Sequence, residues 1–256
     1  MPLPSQLTLL FSTLTYPALL RLLSGPSPTP AHFSASIKHI STLHSTLVTT
    51  LALSILKDAP WRHHRNHSPD PLITARSDFA NAITAIEAGY LLQDSVALVK
   101  EAQLRGGGIS RNVDKTLLVH HVGIGAALLV LHYYIARGKE RGIYIIVMFL
   151  LMNASTPLLN LRWYLRTFAR HRRKAIFAAD AAFVAAFFVA RVYLVWRILG
   201  EYGRYHEWGV WDTFWKGLRV PCQMGTGALF VANLGWWVIM CQNLARGGKR
   251  FTFGGQ

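Results

Sequence analysis

The chain has 256 residues, of which 52% are hydrophobic and 15% charged, well under the roughly 25% charged residues of soluble domains. Its formal net charge of +15 suits either a nucleic-acid binder or a multispanning membrane protein. The bases lie between long apolar runs instead of forming one patch, which excludes the first. Gly and Pro are too few for a collagen-like or low-complexity chain.

An apolar run of about 20 residues can cross the hydrocarbon layer as a helix. Seven runs qualify, at residues 3–23, 37–57, 79–99, 116–136, 142–161, 175–199 and 225–244. They predict an all-α bundle of six to seven transmembrane spans around a lipid-sized cavity, with no room for a separate soluble domain. The backbone inside lipid must satisfy its own hydrogen bonds, and these sequences favour helices over barrel strands.

The first run holds Pro4, Pro17 and several Ser and Thr, and it lacks a basic start. A retained span is expected in preference to a cleaved signal peptide. A Pro/Ser linker at 24–30 follows. The second run carries Lys38, His39 and His44. Lys38 can snorkel to the interface, whereas His44 lies deeper, as an inter-helix partner or a cavity group.

The third run carries Glu87 and Asp94, seven residues apart, with Tyr90 between them. Seven helical residues return to within about 20° of the start, so both carboxylates share one face. They either hydrogen-bond between helices or line a cavity. The Gly106–Gly108 run after it lacks the Lys of a phosphate-binding loop and reads as a connector.

The fourth run opens with His120 and His121, and His132 follows eleven residues after His121 on nearly the same face. Imidazole titrates near neutrality and can serve as a general base. Packing, catalysis and metal ligation are the three readings. No His-x-x-x-His or His-Glu-x-x-His spacing supports a metal, so no metal or cofactor is expected.

Pro157 in the fifth run removes a backbone donor and kinks the helix. Asn153 and Asn160 share a face, and Arg162-Trp163 reads as an interface anchor. The sixth run holds Asp180 and Arg191, about 16 Å apart along the axis and thus unable to pair directly. Arg191 is the costliest group to leave unpaired in lipid. Glu87, Asp94, or a lipid phosphate or carboxylate is its expected partner. In 200–219, Trp208, Trp211 and Trp215 recur at i, i+3 and i+7, which predicts one interfacial helix with three indoles on one face. Cys222 and Cys241, 19 residues apart, are too far apart along a helix for a disulfide.

Loops alternate between two sides. One side carries eleven Lys and Arg and the other fifteen, six of them in 162–174. The richer side is predicted cytosolic, together with the 246–256 tail. The Asn66-His67-Ser68 acceptor falls on the opposite, lumenal side.

Four stretches carry a family resemblance, in order along the chain. They are the Ser/His pattern of 36–44, Gly89-Tyr90 with Asp94, the His120-His121 pair, and Ser155-Thr156-Pro157 through Asn160 to Arg162-Trp163. Together they resemble the TLC domain family, named for translocation-associated, longevity-assurance and neuronal-lipofuscinosis membrane proteins. The resemblance covers about 35–245, with 1–34 before it and a basic tail after it. It is closer to the small members than to the longer ceramide synthases.

The resemblance implies a helical bundle around a lipid-sized cavity in the endoplasmic reticulum, with membrane lipids as partners. In the synthases the paired histidines, here His120 and His121, serve acyl transfer from acyl-CoA to a lipid amine. Asn153 stands where small members often carry Glu, and 143–152 is apolar where the synthases place acids. Glu87 and Asp94 are then the acids left to orient the histidines. The favoured reading is a protein of lipid homeostasis that binds, senses or regulates membrane lipid through Glu87, Tyr90, Asp94, His44, Asn153, Asn160 and Arg191. A lipid N-acyltransferase using His120 and His121 is the alternative, and a lipid transporter or scramblase the second. No nucleic acid is expected, and the oligomeric state is not legible.

Overall fold

The computed structural model describes residues 5–58, 71–106 and 115–246. Among the described residues seven helices are long and apolar enough to cross a membrane: α1 (Ser5–Ser24), α2 (Pro30–Lys57), α4 (Asp78–Leu104), α5 (Lys115–Ala136), α6 (Ile143–Phe168), α7 (Arg173–Arg204) and α9 (Val220–Ala245). A four-residue helix, α3 (Pro71–Thr74), precedes α4, and α8 (Val210–Asp212) lies between α7 and α9. No strand occurs among the described residues. The chain is an all-α, integral multi-pass membrane protein.

The helices start where local chemistry tells them to. Thr29 caps α2 by accepting from the His32 N–H at 3.3 Å, and Pro30 occupies its first turn. Ser77 does the same for α4, accepting from Ala80 N–H at 3.2 Å, with Asp78 in the first turn. The linker expected at 24–30 thus yields Pro30 to α2. The spans at 37–57, 175–199 and 225–244 were bounded by hydropathy, which fades before a capped helix ends.

The core lies between α2, α3, α4, α6 and α7, where Val48, Ala52, Leu72, Ile83, Ile143, Val147 and Ile198 pack together. The outer spans bury little. In α9 only Asn233 and Met240 are buried, and Met240 packs on Phe183, Val184 and Phe187 of α7. Exposed apolar side chains such as Phe11, Leu22, Val119 and Val231 cover α1, α5 and α9, as a lipid-facing surface requires.

Two departures from regular helix matter for the site. Pro157 has no N–H to give to the Asn153 carbonyl, so the Thr156 N–H takes it one residue early. The turn Leu151–Ser155 therefore tightens to a 3-10 helix. In α7, Phe188–Tyr193 widens to a π turn, closed by the Leu194 N–H on the Val189 carbonyl. Neither was expected beyond the kink.

The 200–219 region departs from the single amphipathic helix expected. Gly209 is extended and Glu207 has φ 56°, so the helix breaks there. Trp208 stacks on His206 in the turn, with 4.6 Å between centroids. Trp211 and Trp215, in α8 and the π turn Thr213–Gly217 after it, remain 65% and 66% exposed. Two indoles, not three, face outward. The Asn66 acceptor, Gly107 and Gly108, and most of the tail lie outside the described residues.

Candidate functional site

Glu87, Tyr90 and Asp94 all face the interior of the bundle, as one helical face of α4 dictates. His44 of α2 reaches Glu87 with Nε2 at 2.8 Å from Oε2. Its Nδ1 meets the Tyr16 hydroxyl of α1, and its ring stacks on Tyr90 at 3.8 Å between centroids. A carboxylate only accepts, so the network assigns the ring proton to Nε2, leaving Nδ1 to accept from Tyr16. Asn153 Nδ2, turned inward by the 3-10 segment, donates to both Glu87 oxygens at 3.1 Å. Every polar atom of this acid–base pair is engaged.

Asn160, about two turns further along α6, donates to the Thr42 hydroxyl at 2.9 Å and the Lys38 carbonyl at 3.2 Å. It fastens α6 to α2 and lies apart from Glu87. His132 sits 3.3 Å from the Thr84 hydroxyl, a separate contact between α5 and α4.

The paired histidines are half-buried on α5. His121 Nδ1 lies 2.9 Å from Asp94 Oδ2, near enough for an ion pair but off the line of a hydrogen bond. His120 packs edge-on against Trp236 of α9 at 5.9 Å. Neither ring nitrogen of His120 is hydrogen-bonded among the described residues. Arg191, carried on the π turn of α7, interacts electrostatically with both His120 and Glu87. Glu87, His121, His120 and Arg191 thus form one continuous polar cluster, to which His44 and Asp94 add a partner each.

Arg191 has neither Glu87 nor Asp94, two of its expected partners, within ion-pair distance, though Glu87 acts on it electrostatically. It is half-buried, its Nε donates to the Ser155 hydroxyl at 3.1 Å, and its guanidinium lies over Phe187 at 5.3 Å. No carboxylate lies within ion-pair distance of it among the described residues. Asp180 is paired elsewhere, with Arg162 Nε at 2.6 Å and Arg166 Nη2 at 2.6 Å. Arg162 is buried, so it is a core ion-pair partner and not the interface anchor expected from Arg162-Trp163. The α6–α7 turn brings these charges together, which spacing along a single helix cannot reveal.

Sequence reasoning missed Tyr16 and Ser12, and it had Ser155 only as part of the kinked motif and not as the partner of Arg191. The only trace of the first two is that the buried residues of α1 are serines and not its leucines. Ser12 sits where any Cβ on Gly89 would fall. The close seam between α1 and α4 therefore explains why position 89 is Gly. Among the described residues no group of three His, Cys, Asp or Glu is placed to hold a metal.

Fold and cluster together define a multi-pass helical membrane protein with a partly buried acid–base cluster between its spans. The family model described as the TLC domain matches residues 34–242, and the chain belongs to that family. No curated protein and no solved structure matches it.

Proposed function

We propose that the protein binds a membrane lipid by its headgroup and serves lipid homeostasis as a sensor or regulator of membrane composition, in the endoplasmic reticulum with the C-terminus in the cytosol. The observation that carries this reading is Arg191. A cation held at membrane depth by one neutral hydroxyl, with Glu87 acting on it only from beyond ion-pair distance, lacks the direct counter-charge such groups need. An anionic headgroup seated on Arg191 and flanked by His120 and His121 supplies it. The buried His44–Glu87 pair, fully bonded, supports a structural role for the inner half of the cluster. Its contribution is to fix α1, α2, α4 and α6 around the open half.

A second reading is favoured by one distance. Asp94 stands 2.9 Å from His121, where a carboxylate can orient and charge an imidazole. That supports a lipid N-acyltransferase in which a histidine takes the proton of a lipid amine as it attacks the acyl-CoA thioester. The amide forms and the CoA thiol leaves.

One experiment separates them. The purified chain is analysed for co-purified lipid by mass spectrometry, then incubated with a long-chain base and acyl-CoA. Bound lipid that is lost in Arg191→Gln, with no amide formed, supports the binding reading. Amide formed by the wild type and lost in the His120→Ala, His121→Ala double variant makes the protein an enzyme. Lipid carriage unchanged in Arg191→Gln sinks the binding reading. Movement of labelled lipid between leaflets of proteoliposomes favours transport over both.

A further inference from the structure

We propose that a second, separate site at the opposite edge of the bundle binds the phosphate of an anionic phospholipid headgroup, and that this lipid latches α9 to the other spans. The site is a recess of about 440 Å³ lined by Arg76, Tyr134, Lys139, Glu140, Arg141 and Arg219, within the size range of small-ligand sites. Its floor is the α5–α6 turn. Gly138 and Gly142 take φ of 64° and 72° there, a conformation other residues adopt only with strain. The Gly142 N–H donates to the Ile73 carbonyl at 2.8 Å, and Arg76 Nη2 to the Gly138 carbonyl at 2.8 Å. The turn is therefore pinned to α3 and to the start of α4, a rigid base for a ligand.

The charge of the recess is unbalanced. Its acid, Glu140, is buried and turned inward, where Oε2 accepts from Asn81 Nδ2 at 2.9 Å and Oε1 lies 4.0 Å from Arg76. Lys139, Arg141 and Arg219 have no acidic partner among the described residues. Three cations converging on one concavity fit a phosphate, to which arginine donates in a fork. The surroundings point to a lipid as its source. Tyr133, Tyr134 and Val220 are exposed beside the recess, Arg137 stacks on Tyr133 at 4.4 Å, and Trp211 and Trp215 stand exposed on the segment that leads to Arg219. Such a belt of aromatic and basic side chains marks the headgroup level of a membrane.

The recess also joins elements that otherwise touch little. Arg219 caps α9, while Lys139 and Arg141 belong to the α5–α6 turn. The packing of α9 is toward its far end, where Met240 and Trp237 meet α7 and Trp236 meets His120 of α5. At its near end Gln223 bonds only backward, to the Trp215 and Leu218 carbonyls. A phosphate bridging Arg219 to Lys139 and Arg141 supplies the missing tie.

The test uses the full chain in detergent, titrated with short-chain phosphatidylglycerol, phosphatidylcholine or glycerol phosphate, and reads the shift in unfolding midpoint. Phosphatidylglycerol is expected to raise the midpoint, with the other two at least tenfold weaker in apparent affinity. Lys139→Gln, Arg141→Gln, Arg219→Gln in combination abolishes that shift. These side chains carry no ion pair among the described residues, so the variant's midpoint without lipid stays near wild type. Removing three bases from the other face (Arg172→Gln, Arg173→Gln, Lys174→Gln) leaves the lipid shift intact. The proposal is overturned if the recess variant still responds to phosphatidylglycerol. It is equally overturned if the control variant loses the response to the same degree, or if glycerol phosphate binds as tightly as the lipid.

Discussion

Asp180→Asn is the sharpest probe of how this bundle holds itself together. Asp180 is 1% exposed and bonds Arg162 and Arg166 at 2.6 Å each. The amide keeps the size and one acceptor but removes the charge. Arg162, whose side chain is 5% exposed, then loses the carboxylate charge that faces it in the core, with its guanidinium still over Phe183. Arg166 is different, with 31% of its side chain in contact with the surroundings, and its share is heavily screened. Breaking a buried pair from one side costs about 3–5 kcal/mol, and counting only Arg162 puts the loss near the lower figure. At about 2–4 °C per kcal/mol for a chain of this size, the unfolding midpoint in detergent should fall by roughly 6–12 °C. The double variant Arg162→Met, Asp180→Leu removes both charges and should recover most of that loss, because well-packed apolar pairs replace buried ion pairs at little or no cost. A fall of less than about 2 °C in Asp180→Asn, or a double variant no better than the single, would refute the reasoning.

Four further outcomes follow from the same structure. Gly89→Ala places a Cβ on the Ser12 hydroxyl and 3.0 Å from the Thr13 backbone nitrogen; it should destabilise by about 1–3 kcal/mol, and adding Ser12→Gly should restore much of the loss in thermal unfolding. Tyr16→Phe removes one hydrogen bond to His44 and should lower stability by about 1 kcal/mol. His44→Ala leaves the buried Glu87 carboxylate with Asn153 alone and should cost about 3 kcal/mol; a reversed order in denaturant titrations means the network is drawn wrongly. In bilayers doped with lipid brominated near the headgroup, Trp211→Phe, Trp215→Phe should show clearly less fluorescence quenching than wild type, and equal quenching would place those indoles away from the interface.

The spans were legible because crossing lipid imposes a length and an apolar composition that the sequence must show. The inward face of α4 was legible for a related reason: Glu87, Tyr90 and Asp94 are costly in lipid, and helical geometry puts them on one side. What the sequence could not show was pairing between helices. Asp180 found Arg162 because a short turn reverses the chain, and Arg162 near a span end reads equally well as an anchor. Tyr16 was hidden because α1 is apolar in the ordinary way; only its buried serines separate its inner face from its outer one. The π turn at Phe188–Tyr193 leaves no mark in hydropathy, yet it sets the direction in which Arg191 points. Pro157 announced a kink, and only the missing donor to the Asn153 carbonyl turns that kink into the 3-10 segment that presents Asn153 to Glu87.

The two histidine centres differ in what they have left to give. His44 spends Nε2 on Glu87 and Nδ1 on Tyr16, with Tyr90 covering one face. It sits among α1, α2 and α4, so reaching it means parting the core. His120, His121 and Arg191 keep unbonded nitrogens, and they lie on α5 and on the π turn of α7, with Trp236 of α9 closing the third side. These are the elements next to α9, which with α1 is the least buried of the spans. A headgroup that arrives from the bilayer reaches them without disturbing Val48, Ile83 or Val147, whereas a soluble ligand must first cross apolar surface. The order of burial makes His44 and Glu87 the frame of the cluster and leaves His120, His121 and Arg191 as its accessible part, the part the proposed headgroup would meet.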